Sequence, residues 1–469
     1  MNRNEEYQML LSQLEQETPA ALDGCVEKAR KRARRSRGWR TSLASLGGVA
    51  AAFVLLVNTS VPFALACSKI PGLRELTASL VFSESLKLAV ENDFVQYIGQ
   101  SQTVDGVTMT VEYIIADKRQ VNFFCRFEGE FAYLTGRPTV TNLDGSRLEG
   151  YALYGGGMSQ QGELDCITLD FADRDTPSSL RLRYEVEKLA QDLQDTAPKH
   201  SASDRKEPAE PEALFAFTFD LELDKKMISQ GQSYELGQWV ELDGQRILLQ
   251  EVEIYPTFLQ ISLDQDPENT AYLTGLEFYL EDEQGRQTEH ISNGISARGR
   301  TDEPGISAVR RESSFFWEAK HLTLHIVAAD WLDKDRQFAT VDLVNNVITE
   351  GEPPAGVLFG GAARTPNGLD VAFFAPKTPE EDESHSTYYQ IIRSICYGPE
   401  GQEVQSHGSG TTSVGHTMIG GREIKAPEPE KYFAETVYFD PCPYDSVRVA
   451  FYHTRVGVDL NQPVTAEIK

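Results

Sequence analysis

The sequence predicts a mainly β protein: three tandem β-sandwich modules of the Ig-like kind, extracytoplasmic, preceded by a short helical cytoplasmic head, one transmembrane helix and a juxtamembrane helix. Three observations predict it. An apolar run near the N-terminus has a dense basic cluster on one side, the long body alternates apolar and polar residues between turn residues, and one five-residue motif recurs in it. The expected domains are 1–40 (head), 41–66 (transmembrane segment), 67–94 (juxtamembrane helix), and 95–224, 225–350 and 351–469 (β modules).

The head is basic and short. Residues 1–40 carry nine Lys/Arg against six Asp/Glu, which leaves 35 basic and 65 acidic residues beyond them. An acidic body repels nucleic acid, so nucleic acid is not an expected partner. Tyr7, Leu10, Leu11 and Leu14 fall on one side of a first helical piece, and Thr18-Pro19 starts a second that carries Leu22 and Val26. Helices this short are marginal alone, so their apolar side is expected to fold on a partner or lie on membrane lipid.

Residues 41–57 (TSLASLGGVAAAFVLLV) contain no charge, and the uncharged stretch runs on to Cys67. Such a run is long enough to span a bilayer as a helix. The preceding Arg30, Lys31, Arg32, Arg34, Arg35, Arg37 and Arg40 are the topogenic residues, which place the N-terminus in the cytoplasm of a single-pass cell-membrane protein. A cleaved signal ending at Ala64-Leu65-Ala66, or a lipid on Cys67, would also export the body. Beyond it, Ile70, Leu73, Leu76, Leu80, Leu86 and Val90 keep mostly helical spacing.

The body then changes period. Runs such as 107–115 (VTMTVEYII), 121–127 (VNFFCRF), 180–186 (LRLRYEV) and 214–223 (LFAFTFDLEL) alternate in twos and are bounded by Gly, Asp, Asn and Pro, the pattern of half-buried strands. Ala132-Tyr133-Leu134-Thr135-Gly136 recurs as Ala271-Tyr272-Leu273-Thr274-Gly275, and Asp105-Gly106, Gly145 and Leu180 find counterparts in Asp243-Gly244, Gly285 and Leu322. Asn367-Gly368, Gly401 and Val447 mark a fainter third copy. Asp105-Gly106 and Asn367-Gly368 suit type I′ hairpin turns. Residues 191–212, rich in Pro, Ser and charge, read as a loop.

Cys125 with Cys166, and Cys396 with Cys442, each fall within one module and are the expected disulfide pairs of an oxidising exterior. Their alternative is buried free thiols. No catalytic signature, metal site or cofactor motif is found, so the chain is not expected to be an enzyme. His321 and His325 are too far apart on a strand to share a metal. The stretch 406–416 (SHGSGTTSVGH) lacks the strand-to-helix setting of a nucleophile elbow. Asp264, Asp266, Glu268 and Asn269 lack the glycine and distal glutamate of a calcium loop, and residues 380–383 (EEDE) read as a charged loop.

Several stretches together resemble a known family. They are Trp39-Arg40 with the basic run before it, the apolar helix, Asn58-Thr59-Ser60-Val61-Pro62-Phe63-Ala64, Lys69-Ile70-Pro71-Gly72-Leu73 and Asp105-Gly106-Val107-Thr108-Met109-Thr110-Val111. The chain is similar over about residues 20–130 to single-pass bacterial membrane proteins with the domain of unknown function 4179, often described as anti-sigma factors. That resemblance implies an uncleaved anchor, a Gram-positive source and a membrane regulator. Its cytoplasmic head would contact an extracytoplasmic-function sigma factor while the β-rich exterior acts as sensor or scaffold. The head departs from the family by being about half the usual length of an anti-sigma domain, which implies a modest contact. The competing expectation is a membrane- or lipid-anchored cell-surface protein that binds an extracellular or cell-wall ligand and has no sigma partner.

Overall fold

The structure, a computed structural model, describes residues 83–171, 174–191, 213–291, 294–300, 303–377 and 390–469. Within them the chain is mainly β, with one α-helix, α1 (Glu84–Glu91). Ser83 caps its N-terminus, and Asp93, in the left-handed region at φ 57°, ends it.

The first module contains β1 (Gln96–Val104), β2 (Val107–Ala116), β3 (Gln120–Glu128), β4 (Tyr133–Thr141), β5 (Ala152–Tyr154), β6 (Met158–Gln160), β7 (Leu164–Asp170), β8 (Ser179–Ala190) and β9 (Phe215–Glu222). Its two antiparallel sheets, ordered β1-β2-β3-β7-β5 and β6-β4-β8-β9, close over one core that includes Met109, Phe123, Phe127, Leu134, Tyr184 and Phe217. A bulge in the β2–β3 register between Val111 and Tyr113 reverses the alternation of β2. Val107, Met109 and Val111 therefore face the core with Ile114, while Tyr113 and Ile115 turn to the other side and meet Leu86 and Ala89 of α1. Both faces of this sheet are thus covered.

The second module repeats the plan. β10 (Gln232–Leu242), β11 (Gln245–Ile254), β12 (Leu259–Gln265), β15 (Ile306–Arg311) and β14 (Ala297–Gly299) form one sheet in the order β10-β11-β12-β15-β14. β13 (Ala271–Asp282) and β16 (Leu322–Asp333) begin the other. Its third strand is β27 (Arg455–Glu467), from more than a hundred residues downstream. It lies beside β16 as β9 lies beside β8.

Between β16 and β27 sits the third module: β17 (Phe338–Asp342), β18 (Val347–Glu350), β19 (Leu358–Thr365), β20 (Gly368–Pro376), β21 (Ile392–Tyr397), β22 (Glu403–Thr412), β25 (Tyr432–Phe439) and β26 (Ser446–Phe451), in the order β18-β17-β26-β21-β22-β25-β20-β19. A small hairpin, β23 (His416–Ile419) with β24 (Arg422–Lys425), completes it. The three modules are therefore not tandem, and the expected boundaries 225–350 and 351–469 give way to a module inserted ahead of the last strand of its neighbour. Its strand order is not that of the other two, which is why the third copy of the motif is faint.

Two further expectations are corrected. Among the described residues no helix is long and apolar enough to cross a membrane, and eight-residue α1 is neither a cytoplasmic head nor a span. That finding stands against the expected single-pass architecture and cell-membrane localisation, while residues 1–40, 41–66 and 67–82, on which those expectations were placed, lie outside the described residues. Asp105-Gly106 and Asp243-Gly244 have positive φ at both positions, as a type I′ turn needs, but at Asn367-Gly368 only the glycine does, at 149°.

Candidate functional site

The candidate site is the junction of the first and second modules, where α1 also docks. Its first part is the turn from β2 to β3. Asp117 Oδ1 accepts the backbone N–H groups of Arg119 and Gln120, each at 2.9 Å, which folds the turn locally. Oδ2 reaches the other module, accepting the Thr257 N–H at 3.0 Å and the Thr257 hydroxyl at 2.6 Å. Burial raises the Asp117 carboxyl to about 6, against the lowering by these four bonds. Beside it Arg119 donates to the Tyr255 hydroxyl at 3.2 Å and to Asp175 at 3.2 Å. The Tyr255 hydroxyl in turn donates to Glu253.

A buried ion pair forms the second part. Asp170 at the end of β7 meets Arg310 of β15, with side-chain exposures of 0% and 1%. The guanidinium donates from Nη1 and Nη2 to the two carboxylate oxygens, donates from Nε to Gln260 at 2.9 Å, and lies 4.0 Å above the Phe258 ring. Both ions are thus held by directed contacts, as a desolvated pair requires.

Helix α1 supplies the third part and touches both modules. Glu312, next after β15, accepts the Ser83 hydroxyl at 3.1 Å and the Ser85 N–H at 2.7 Å through Oε2. Ser85 Oγ accepts the Ser313 N–H at 2.6 Å. Carboxylate, hydroxyl and helix N-terminus are a favourable combination, because the first-turn N–H groups lack partners in the helix. On the apolar side Phe316 stands edge-on to Phe94, 5.7 Å between centroids, in the cluster that buries Leu86 and Ala89.

The residues singled out from sequence are elsewhere. Tyr7, Leu10, Leu11, Leu14, Leu22, Val26 and the basic run Arg30, Lys31, Arg32, Arg34, Arg35, Arg37 and Arg40 lie outside the described residues. The four described cysteines are free thiols. Cys125 and Cys166 sit on paired strands, but Cys125 stands opposite Asp165 and Cys166 opposite Phe124, so alternation sends them to opposite faces of the sheet. One joins the inner core and the other the α1 side, which corrects the expected Cys125–Cys166 bridge. Cys396 and Cys442 share the core of the third module, and burial, then Cys442, pushes the Cys396 thiol up to about 12. His325 stacks on Tyr279 at 4.8 Å. Asp264 pairs with Arg300 and Asp266 with Arg246, so these carboxylates have cationic partners.

Sequence reasoning missed Asp117, Arg310 and Glu312. The available signal was the run Arg310-Arg311-Glu312 directly after the apolar Ile306–Val309 stretch, which puts charge where a strand should stay half buried.

No curated protein matches the chain. A solved structure, "The crystal structure of the conserved domain protein from Bacillus anthracis", is 13% identical, with 55% of this chain and 84% of that one covered and a TM-score of 0.35, too slight a likeness to carry a fold argument. Residues 231–349 match a family of unknown function, DUF5643, a stretch that runs from the start of the second module into the β17–β18 hairpin. Residues 33–129 match the domain of unknown function DUF4179, and within the described residues this match covers α1 and β1 to β3, so the chain carries that domain on one side of the junction.

Proposed function

We propose that the chain is a regulator of the anti-sigma-factor-like kind, in which residues 5–29 contact an extracytoplasmic-function sigma factor and the β-rich body serves as sensor or scaffold and not as an enzyme. The observation that carries this reading is the DUF4179 match over residues 33–129, a domain associated with anti-sigma-factor-like proteins. The dense network at the junction supports a regulatory body, because it ties the segment beyond residue 82 to two modules at once.

Purified full-length chain should be titrated calorimetrically with each extracytoplasmic-function sigma factor of the host, beside a variant carrying Leu10→Asp, Leu11→Asp and Leu14→Asp. The expected result is saturable binding of one sigma factor that the variant loses at least tenfold. Absence of binding to every sigma factor, or equal binding by both chains, would reject the reading.

A further inference from the structure

We infer that α1 is a conformational latch, folded while the first and second modules keep their docked arrangement and unfolded when they separate. This deepens the regulatory reading above and rests on it for its biological meaning. Eight residues do not form a stable helix in water, because the nucleation cost is not recovered over so few hydrogen bonds. The helix therefore depends on its docking contacts, and these come from two modules. The first contributes the apolar floor of Tyr113, Ile115 and Phe124. The second contributes the polar roof: Glu312 on Ser83 and Ser85, the Ser313 N–H on Ser85, and Phe316 beside Phe94.

Neither half suffices. Without the second module, the Ser85 N–H and the Ser83 hydroxyl lose a charged acceptor and Phe94 loses an edge contact. Glu312 and Ser313 lie just beyond Arg310 along the chain, so the ion pair to Asp170 and the grip on the helix move together. The junction is thus an order–disorder element of the kind that low local stability favours for switching, and its opening releases residues 84–91.

Hydrogen exchange measured by mass spectrometry on full-length protein tests this with two variants. Glu312→Ala removes the grip itself, and Asp170→Ala loosens the module junction without touching α1. Amides of residues 84–91 should exchange about tenfold faster or more in both, while those of β8 and β25 keep wild-type rates. Faster exchange in Glu312→Ala alone would overturn the latch, since the helix would then ignore the module junction, and unchanged exchange in both would overturn it too. Should Asp170→Ala expose β8 as well, Arg310→Lys, which keeps the charge but loses the two-pronged contact, replaces it under the same criteria. A sigma factor that fails to bind would remove the regulatory reading and leave these exchange rates standing, so the two failures are distinct.

Discussion

Asp333 and Arg455, separated by 122 positions in the sequence, form an ion pair at 2.9 Å that closes the neck of the inserted module. Thr454 reinforces it: its hydroxyl oxygen accepts the Asp333 N–H at 2.8 Å and lies 2.8 Å from Asp333 Oδ2 and 3.1 Å from the Trp331 carbonyl. The two chain crossings between the second and third modules are thus pinned to each other. The second module should therefore depend on the strand that closes it from beyond the third. Deleting residues 455–469 removes β27 with Val458, Leu460, Val464, Ala466 and Ile468, which pack on the core of the second module. Limited proteolysis should then cut first within 232–333, while peptides of the first module stay protected.

The Asp170–Arg310 pair gives a sharper number. Removing one ion leaves the other buried without a partner, a loss of ~3–5 kcal/mol, whereas replacing both with apolar residues of similar size is close to neutral. Urea unfolding should show Arg310→Met strongly destabilised and Asp170→Leu/Arg310→Met largely restored. Equal loss in the single and double variants would show that the pair is not coupled.

Glycine in the recurring Ala-Tyr-Leu-Thr-Gly motif is a steric requirement. Each glycine sits at a bulge, and an added Cβ at Gly136 would stand 2.3 Å from Tyr184 Cε1 and 2.7 Å from the Glu185 carbonyl oxygen. At Gly275 the nearest atoms to it would be those of the Asp330 side chain, with Oδ2 at 2.1 Å. A side chain can rotate and a strand carbonyl cannot. Gly136→Ala is expected to cost ~1–3 kcal/mol and Gly275→Ala less, read as shifts in the thermal midpoint.

Stability should fall through Glu435 as pH rises from about 4.5 through 7, and level off above that. Its Oε2 accepts the N–H groups of Ile391 at 2.7 Å and Ile392 at 3.0 Å, yet burial outweighs these bonds and raises the carboxyl from 4.5 to about 7. A raised carboxyl binds its proton more tightly in the folded state, so its contribution is fully present below pH 4.5 and is lost as pH rises through 7. Asp117 adds the same sign between 3.8 and 6. Glu435→Gln keeps a carbonyl acceptor for both N–H groups and should flatten the dependence between about pH 5 and pH 8 in urea midpoints. An unchanged slope would place the titration elsewhere.

Oxidation should not link Cys125 to Cys166, because they face opposite sides of one sheet. Peptide mapping after mild oxidant should recover both as separate thiols, and a linked peptide would contradict the strand register.

The strands and the first repeat were legible because their signals are local. Period two in 107–115 marks a half-buried strand wherever its partner lies, and Asp105-Gly106 specifies its own turn. The reversal of phase at Val111 was hidden in the same run, since both faces of β2 end up buried and the pattern there reads as continuous apolar sequence. Insertion of the third module was not legible at all. The partner of β16 is chosen by a core contact across more than a hundred residues, and nothing in 455–467 marks it as belonging to an earlier unit. The junction was obscure for a related reason. Asp117 and Glu312 look like ordinary turn acids until the fold brings Thr257 and Ser83 to them.

The nested topology also imposes a schedule on a chain made from its N-terminus. The first module has all its strands by Glu222 and can fold as it leaves the ribosome, while β16 emerges with one edge bare and must wait for β27. During that interval the exposed edge is a template for foreign strands, and only rapid folding of the intervening module shortens it by bringing the two ends of the neck together. Translation speed across residues 334–454 thus becomes a determinant of yield, and slow codons there should favour aggregation without altering one amino acid.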